Sequence, residues 1–146
     1  MSFNASQITE DFSCAPQITV EEIDQIARMG FKSVMNCRPD GEGGADQPAS
    51  DQLKAAAERH GLHYLHVPVE MGSDINAIAN HCKAVIEHAP KPMLGFCKSG
   101  MRARTLYQAC LTVPTPKSPW QWLKSKCIFT RLWRWVSNRK HSSCGA

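Results

Sequence analysis

A short apolar run, Met93-Leu94-Gly95-Phe96, leads without a break into Cys97-Lys98-Ser99-Gly100-Met101-Arg102, and a helical pattern starts near Arg102. Strand, loop and helix in that order belong to an α/β domain. A helix N-terminus leaves backbone N–H groups unpaired and turns partial positive charge toward whatever precedes it. Both effects favour thiolate over thiol, so Cys97 is expected to have a lowered pKa and to act as a nucleophile. Gly100 lets the chain turn its amides inward, and Arg102 offers a planar fork of donors to an oxyanion. Cys97 and Arg102 are therefore the candidate catalytic pair, and Lys98, Ser99, Gly100 and Met101 the candidate anion-binding positions. A lone cysteine at a strand end is ordinarily a core residue. The glycine and arginine that follow at fixed places make this one more specific.

The preceding sequence repeats the alternation of helix and strand. Thr19 and Glu22 form a capping-box pattern before Val20, Ile23, Ile26 and Ala27, and Gly30 suits the stop. Phe31 to Cys37 reads as a short buried strand, and Arg38 to Ala49 as a Gly-, Pro- and Asp-rich loop. Ser50 is placed to cap a second helix with Leu53, Ala56 and Ala57 inward. Leu62 to Val67 is the next strand, stopped by Pro68. Ser73 or Asp74 caps a third helix whose apolar positions are Ile75, Ile78, Ala79, Cys82, Val85 and Ile86. Strands separated by helices pair in parallel, and sites form beyond their carboxyl ends. The loops after Cys37, Val67 and Phe96 are expected to converge there.

Charge divides the chain. Residues 1–112 hold 10 basic and 13 acidic residues, whereas residues 113–146 hold seven Lys or Arg, no acid and all four tryptophans. The expected organisation is a domain over 1–112 and a basic, Trp-rich tail over 113–146. Val113-Pro-Thr-Pro-Lys-Ser-Pro119 interrupts any helix at the junction. Cations and tryptophans together suit a nucleic acid or a membrane surface. The complete lack of acids weighs instead toward a segment of different origin, and nucleic acid is not expected as a partner. No apolar run approaches the roughly 18 residues of a membrane helix. No basic stretch followed by an apolar one opens the chain. Seven widely spaced cysteines, an odd number, argue for free thiols and a cytoplasmic setting.

A thiolate ringed by amides attacks a phosphoryl group or receives a sulfane sulfur. Four residues separate Cys97 from Arg102. Phosphotyrosine-type phosphatases resemble this loop but insert one residue more, which makes room for a tetrahedral phosphate. Rhodanese-type sulfurtransferases typically use the shorter loop. The spacing leans toward sulfur transfer.

Four stretches, Gln17-Ile18-Thr19, Asn36-Cys37-Arg38-Pro39-Asp40-Gly41-Glu42, His66-Val67-Pro68-Val69 and Phe96 to Arg102, together resemble the phosphatase-like domain family of beta-lactamase-hydrolase-like proteins over roughly residues 3–110. The resemblance implies a protein-tyrosine-phosphatase-like α/β fold, a central mostly parallel sheet flanked by helices, here with an incomplete or atypical C-terminal part. It also implies an activity described as phosphatase or as sulfurtransferase. Family members usually place Ser directly after the loop arginine, where this chain has Ala103, with Thr105 the nearest hydroxyl. Dual-specificity phosphatases set an aspartate acid where this chain has Met71, flanked by Glu70 and Asp74. Without such an acid, ester hydrolysis slows by about 10²–10⁴, while persulfide transfer needs it less.

Arg38, Asp40 and Glu42 lie on a turn expected to overhang the loop, as substrate ligands, a proton donor, or simply turn chemistry. Glu70 and Asp74 are further accessory candidates. His60, His63 and His66 have poor chelating geometry, since the last two fall on opposite faces of a strand, and neither metal nor cofactor is expected. Cys82 and Cys110 read as core thiols, Cys110 with a resolving role as the lesser option. The reading is a Cys-dependent group-transfer enzyme with a covalent thiol intermediate, first a persulfide sulfurtransferase. A phosphatase on the same loop is the alternative, and an inactive binding module or truncated copy the third. The partner is a small anion, a sulfane-sulfur donor or a phosphate ester, with a thiol acceptor for sulfur.

Overall fold

A hairpin that the alternation above does not anticipate begins the fold. Strands β1 (Ser6–Thr9) and β2 (Phe12–Ala15) pair antiparallel, and β2 then lies parallel to the strand that carries the cysteine loop. Each strand has four residues, and β1 is mainly polar, too little for a periodic signal. The computed structural model describes residues 3–114, and the expectations for the basic tail beyond 114 lie outside those residues.

The rest follows the alternation: α1 (Glu22–Arg28), β3 (Ser33–Asn36), a 3₁₀ turn (Gly44–Asp46), α2 (Ser50–Arg59), β4 (His63–His66), α3 (Ile75–His88), β5 (Met93–Phe96) and α4 (Met101–Thr112). The sheet order is β1-β2-β5-β3-β4, and every pairing except β1 with β2 is parallel. This is the mixed α/β fold, a mostly parallel sheet with flanking helices.

The strand period of two sorts the core into two layers. Met35, Cys37, Met93 and Cys97 face one side, where Ala79 and Ile86 of α3 and Ala103, Leu106 and Cys110 of α4 cover them. Val34, Leu94 and Phe96 face the other, against Ile23 and Ile26 of α1 and Leu53, Ala56 and Ala57 of α2. Burying each large side chain contributes about 1.5–3 kcal/mol. Gly95 brings α4 close: a Cβ there would lie 2.6 Å from the Phe12 ring and 3.1 Å from the Ala103 Cβ. Phe12 in turn stacks on Tyr107, ring centroids 3.9 Å apart.

The helix starts differ in detail from the expectations. Thr19 and Glu22 exchange the reciprocal bonds of a capping box at 2.8 and 3.3 Å, yet α1 begins only at Glu22. Ser50 is not the cap of α2. Ala49 holds that place, and the Ser50 N–H donates to the Asp40 carboxylate at 2.9 Å. Asp74 caps α3, accepting from the N–H groups of Asn76 and Ala77 at 2.9 and 3.2 Å. Val85, placed above on the apolar face of α3, is exposed, and Lys83 is buried with its ammonium on the Val113 carbonyl and near Glu87. Lysine thus satisfies the C-terminus of α4, where free carbonyls and the helix dipole attract a cation. Among the described residues no helix is long and apolar enough to cross a membrane.

Candidate active site

The carboxyl ends of β2, β3, β4 and β5 meet around Cys97. The Cys37 N–H donates to the Phe96 carbonyl at 2.9 Å, and the Val69 N–H to the Cys37 carbonyl at 3.0 Å, which ties the loops after β5, β3 and β4 together. A fourth loop joins them. The Gln17 N–H donates to the Lys98 carbonyl at 3.3 Å, and the Gln17 side chain accepts from Arg38 at 3.0 Å. Gln17 and Val69 are site-building residues that the sequence reading did not single out for that role. No residue type marks a backbone carbonyl as a ligand, and Gln17 is distant in sequence from what it touches.

Cys97 is the last residue before the chain turns. Its side chain has no exposed surface. The Gly100 N–H points at Sγ, 3.1 Å away. Gly100 reaches this position with φ +90°, and it is the N-cap of α4. Burial alone raises the Cys97 pKa and is the largest single influence. The backbone N–H groups of Ala103, Ser99, Arg102 and Gly100 oppose it, and together they bring the thiol below its ordinary value. Helix-terminal amides stabilising a thiolate are the physical basis of a reactive cysteine. The side chains of Lys98 and Met101 stand exposed at the rim.

Arg102 closes one side of the cradle. Its Nη1 donates to the Val69 carbonyl at 2.8 Å, and its two terminal nitrogens each donate to one oxygen of Glu42, also at 2.8 Å. Glu42 accepts a further bond from Arg38 Nε at 2.7 Å. These bonds, from Arg102 first and Arg38 second, pull the Glu42 pKa from 4.5 to about 2. The pairing raises Arg102 correspondingly.

Several accessory candidates take other roles than those entertained above. Glu42 is held ionised, so it does not serve as a proton donor near neutrality. Arg38 is buried between Glu42 and Gln17 and supports the site rather than lining it. Asp40 and Asp74 are committed to the starts of α2 and α3. Glu70 is exposed on the turn before α3, beside Met71, which is 84% exposed. Thr105 donates to the Met101 carbonyl within α4 at 2.9 Å, so its hydroxyl is engaged away from Cys97. The histidines diverge. His66 Nε2 lies 3.1 Å from the Arg38 carbonyl, and His60 lies 3.6 Å from Asp24. Among the described residues no group of His, Cys, Asp and Glu is arranged to hold a metal. Cys110 and Cys82 are free thiols, and the neighbouring Cys82, together with burial, pushes the Cys110 thiol up.

Residues 4–112 match the family model described as beta-lactamase hydrolase-like protein, phosphatase-like domain. The chain is 35% identical over 103 residues to a beta-lactamase hydrolase-like protein of Agrobacterium fabrum, covering 70% of this chain and 24% of that one. It is 39% identical over 100 residues to one of Xylella fastidiosa, covering 68% and 23%. The chain thus spans about a quarter of the length of these curated relatives. A solved structure from Neisseria meningitidis, described as a candidate phosphatase, superposes with a TM-score of 0.65 at 28% identity, over 75% of this chain and 79% of that one. A Shewanella putrefaciens structure at 16% identity, covering 76% and 75%, shares the fold with a TM-score of 0.58.

Proposed function

The chain belongs to the phosphatase-like domain family of beta-lactamase hydrolase-like proteins, and on that premise we propose that it is a Cys97-dependent enzyme acting on a phosphate monoester. The observation that carries the reading is the cradle itself: Sγ 3.1 Å from the Gly100 N–H, ringed by further amides, with Arg102 across it. Thiolate attack on phosphorus forms a sulfur–phosphorus bond and breaks the ester bond. The leaving oxygen takes its proton from solvent, since Glu42 is held ionised. Water then cleaves the phosphocysteine and regenerates the thiolate. Without a positioned acid, substrates with good leaving groups such as aryl phosphates react fastest. The amides and Arg102 stabilise charge on the transferred group's oxygens.

A second reading is favoured by the four residues between Cys97 and Arg102 and by the engagement of Glu42, Asp40 and Asp74 in other bonds. Here Cys97 takes the terminal sulfur of a sulfane-sulfur donor and holds it as a persulfide. The donor leaves as a thiolate or sulfite, which needs no proton, and a thiol or cyanide acceptor removes the sulfur.

One experiment separates the two. The full chain is exposed in parallel to an aryl phosphate and to thiosulfate, quenched in acid, and the Cys97 peptide is weighed. A phosphoryl adduct supports phosphatase action and one added sulfur supports transfer; both must vanish in Cys97→Ser. Well-folded protein with neither adduct and no turnover would end both readings.

A further inference from the structure

We propose that Met71 and Met101 form an apolar rim on the Cys97 cradle and select substrates whose departing group is uncharged and apolar, above all a planar aromatic ring. The inference deepens the reading of the cradle as a site for group transfer from a small anion and rests on it.

Two backbone ties set Met71 at the mouth. The Val69 N–H donates to the Cys37 carbonyl at 3.0 Å, and the Val69 carbonyl accepts from Arg102 Nη1 at 2.8 Å. Directly after Val69 the chain turns over Glu70 to Ser73, closed by the Ser73 N–H on the Glu70 carbonyl at 3.2 Å. Gly72 holds the third place of that turn with φ +85°. Such a turn asks for glycine there and favours proline at the second place, so it does not itself call for a methionine. Met71 occupies that second place and is 84% exposed. Met101 stands on the loop itself. It is the first residue of α4, between Gly100, whose N–H faces Sγ at 3.1 Å, and Arg102. It is 61% exposed.

Single exposed apolar side chains are ordinary, and position distinguishes these two. Among the described residues the other large ones are Met29, Val85 and Leu111. Met29 follows α1 on the way to the amino end of β3, Val85 lies in the last turn of α3 on the way to the amino end of β5, and Leu111 lies at the far end of α4. Met71 and Met101 belong to the end of the sheet where the site forms.

Their chemistry is shared. A thioether side chain is unbranched and polarisable, adapts its shape, and makes favourable contacts with aromatic rings. The charges beside the two methionines cancel, since Lys98 and Glu70 are both exposed and opposite in sign. Glu42 is committed to Arg102 and Arg38. A second anionic group on the substrate therefore finds no net charge beyond the cradle, whereas an apolar departing group covers the methionines and leaves water. This selection acts through contact. It is separate from the acidity of the leaving group, which governs bond breaking.

The test uses phosphonates, which have no ester bond to break, so leaving-group acidity plays no part. The full chain is alkylated at Cys97 with iodoacetamide in the presence of methylphosphonate, phenylphosphonate or phosphonoacetate, and half-protecting concentrations are read from the Cys97 peptide. Phenylphosphonate is expected to protect at about tenfold lower concentration than methylphosphonate, and the advantage to shrink to about threefold in Met71→Ser and in Met101→Gln, as for two thioether–ring contacts removed one at a time. Phosphonoacetate is expected to do no better than methylphosphonate. Equal protection by the phenyl and methyl compounds, stronger protection by phosphonoacetate, or an advantage unchanged in both variants overturns the rim and leaves the cradle standing. If no phosphonate protects, the same comparison is made by sulfur transfer from benzenethiosulfonate and methanethiosulfonate. There the Cys97 thiolate takes the terminal sulfur, the sulfur–sulfur bond breaks and a sulfinate leaves. A phenyl-to-methyl rate ratio that falls in the variants supports the rim, and one that does not fall overturns it. Cys97 that is neither protected nor sulfurated ends the cradle reading and the rim with it.

Discussion

Glu42 and Arg102 meet through two parallel bonds of 2.8 Å each, one carboxylate oxygen to each terminal nitrogen. The residues are 60 apart in the chain. The carboxylate is anchored from behind by buried Arg38, at 2.7 Å, so it fixes the plane of the Arg102 guanidinium. A bidentate clamp of this kind gives geometric definition as well as energy.

Replacing Glu42 by Gln keeps the shape and removes the charge. A charge-assisted bond contributes about 1.5–3 kcal/mol, and the loss lets Arg102 leave its orientation. We expect the E42Q variant to turn over aryl phosphate about tenfold less efficiently and to bind inorganic phosphate more weakly, as measured by competitive inhibition. The opposite outcome, tighter phosphate binding, would show that Glu42 plugs the arginine and does not position it.

The same carboxylate makes stability depend on acid. Its folded pKa is depressed from 4.5 to about 2 by Arg102 and Arg38. A depressed carboxylate stabilises the fold fully above its unfolded pKa, and that contribution is lost as pH falls through the folded value. Urea midpoints of the wild type should therefore decline between about pH 4.5 and 2, with a shallower decline in E42Q. Equal slopes for the two proteins would mean that the ion pair does not hold in solution.

How legible the site was depends on the distance over which each part is encoded. The Cys97 loop could be read because strand, glycine turn and helix start are contiguous, and the cap of α3 could be narrowed to Ser73 or Asp74 because the bonds that Asp74 makes reach only two and three residues ahead. Asp40 and Glu42 could not be told apart in sequence. Both sit on one Pro-Asp-Gly-Glu turn, yet Asp40 bonds Ser50 and Glu42 bonds Arg102. That choice is made by the tertiary meeting of β3 and β5. The β1–β2 hairpin was hidden for another reason: its short polar edge strand is ordered by its neighbour rather than by a pattern of its own. Lys83 shows the limit of helical periodicity, since a buried carbonyl at the end of α4 drew a cation inward.

Gly100 and Gly30 offer a paired test of backbone and site. Both have strongly positive φ, +90° and +93°, so alanine at either costs about 1–2 kcal/mol of left-handed strain. A Cβ at Gly30 meets nothing within 4 Å, whereas one at Gly100 lies 3.0 Å from the Ala15 carbonyl oxygen. Thermal melts should show both G30A and G100A destabilised, G100A more. Only G100A should also raise the pH needed to alkylate Cys97, because it disturbs the N–H aimed at Sγ. Unchanged Cys97 titration in folded G100A would remove that amide from the account.

The cradle finally predicts how Cys97 itself titrates. Burial works against the thiolate, and the amides of Ala103, Ser99, Arg102 and Gly100 outweigh it. Alkylation of Cys97 by iodoacetamide, followed by peptide mapping across pH, should have its midpoint below the 9.0 of an ordinary thiol. Cys37, pushed upward by burial first and by Cys97 second, should stay unreacted over the same range. Arg102→Gln keeps the backbone amides and loses the guanidinium. Its Cys97 midpoint should therefore remain below the ordinary value while phosphate binding weakens about 10–100-fold, the loss expected for a charge-assisted bond of about 1.5–3 kcal/mol. A midpoint that rises to the ordinary value in this variant would transfer the activation of Cys97 from the helix amides to the arginine side chain.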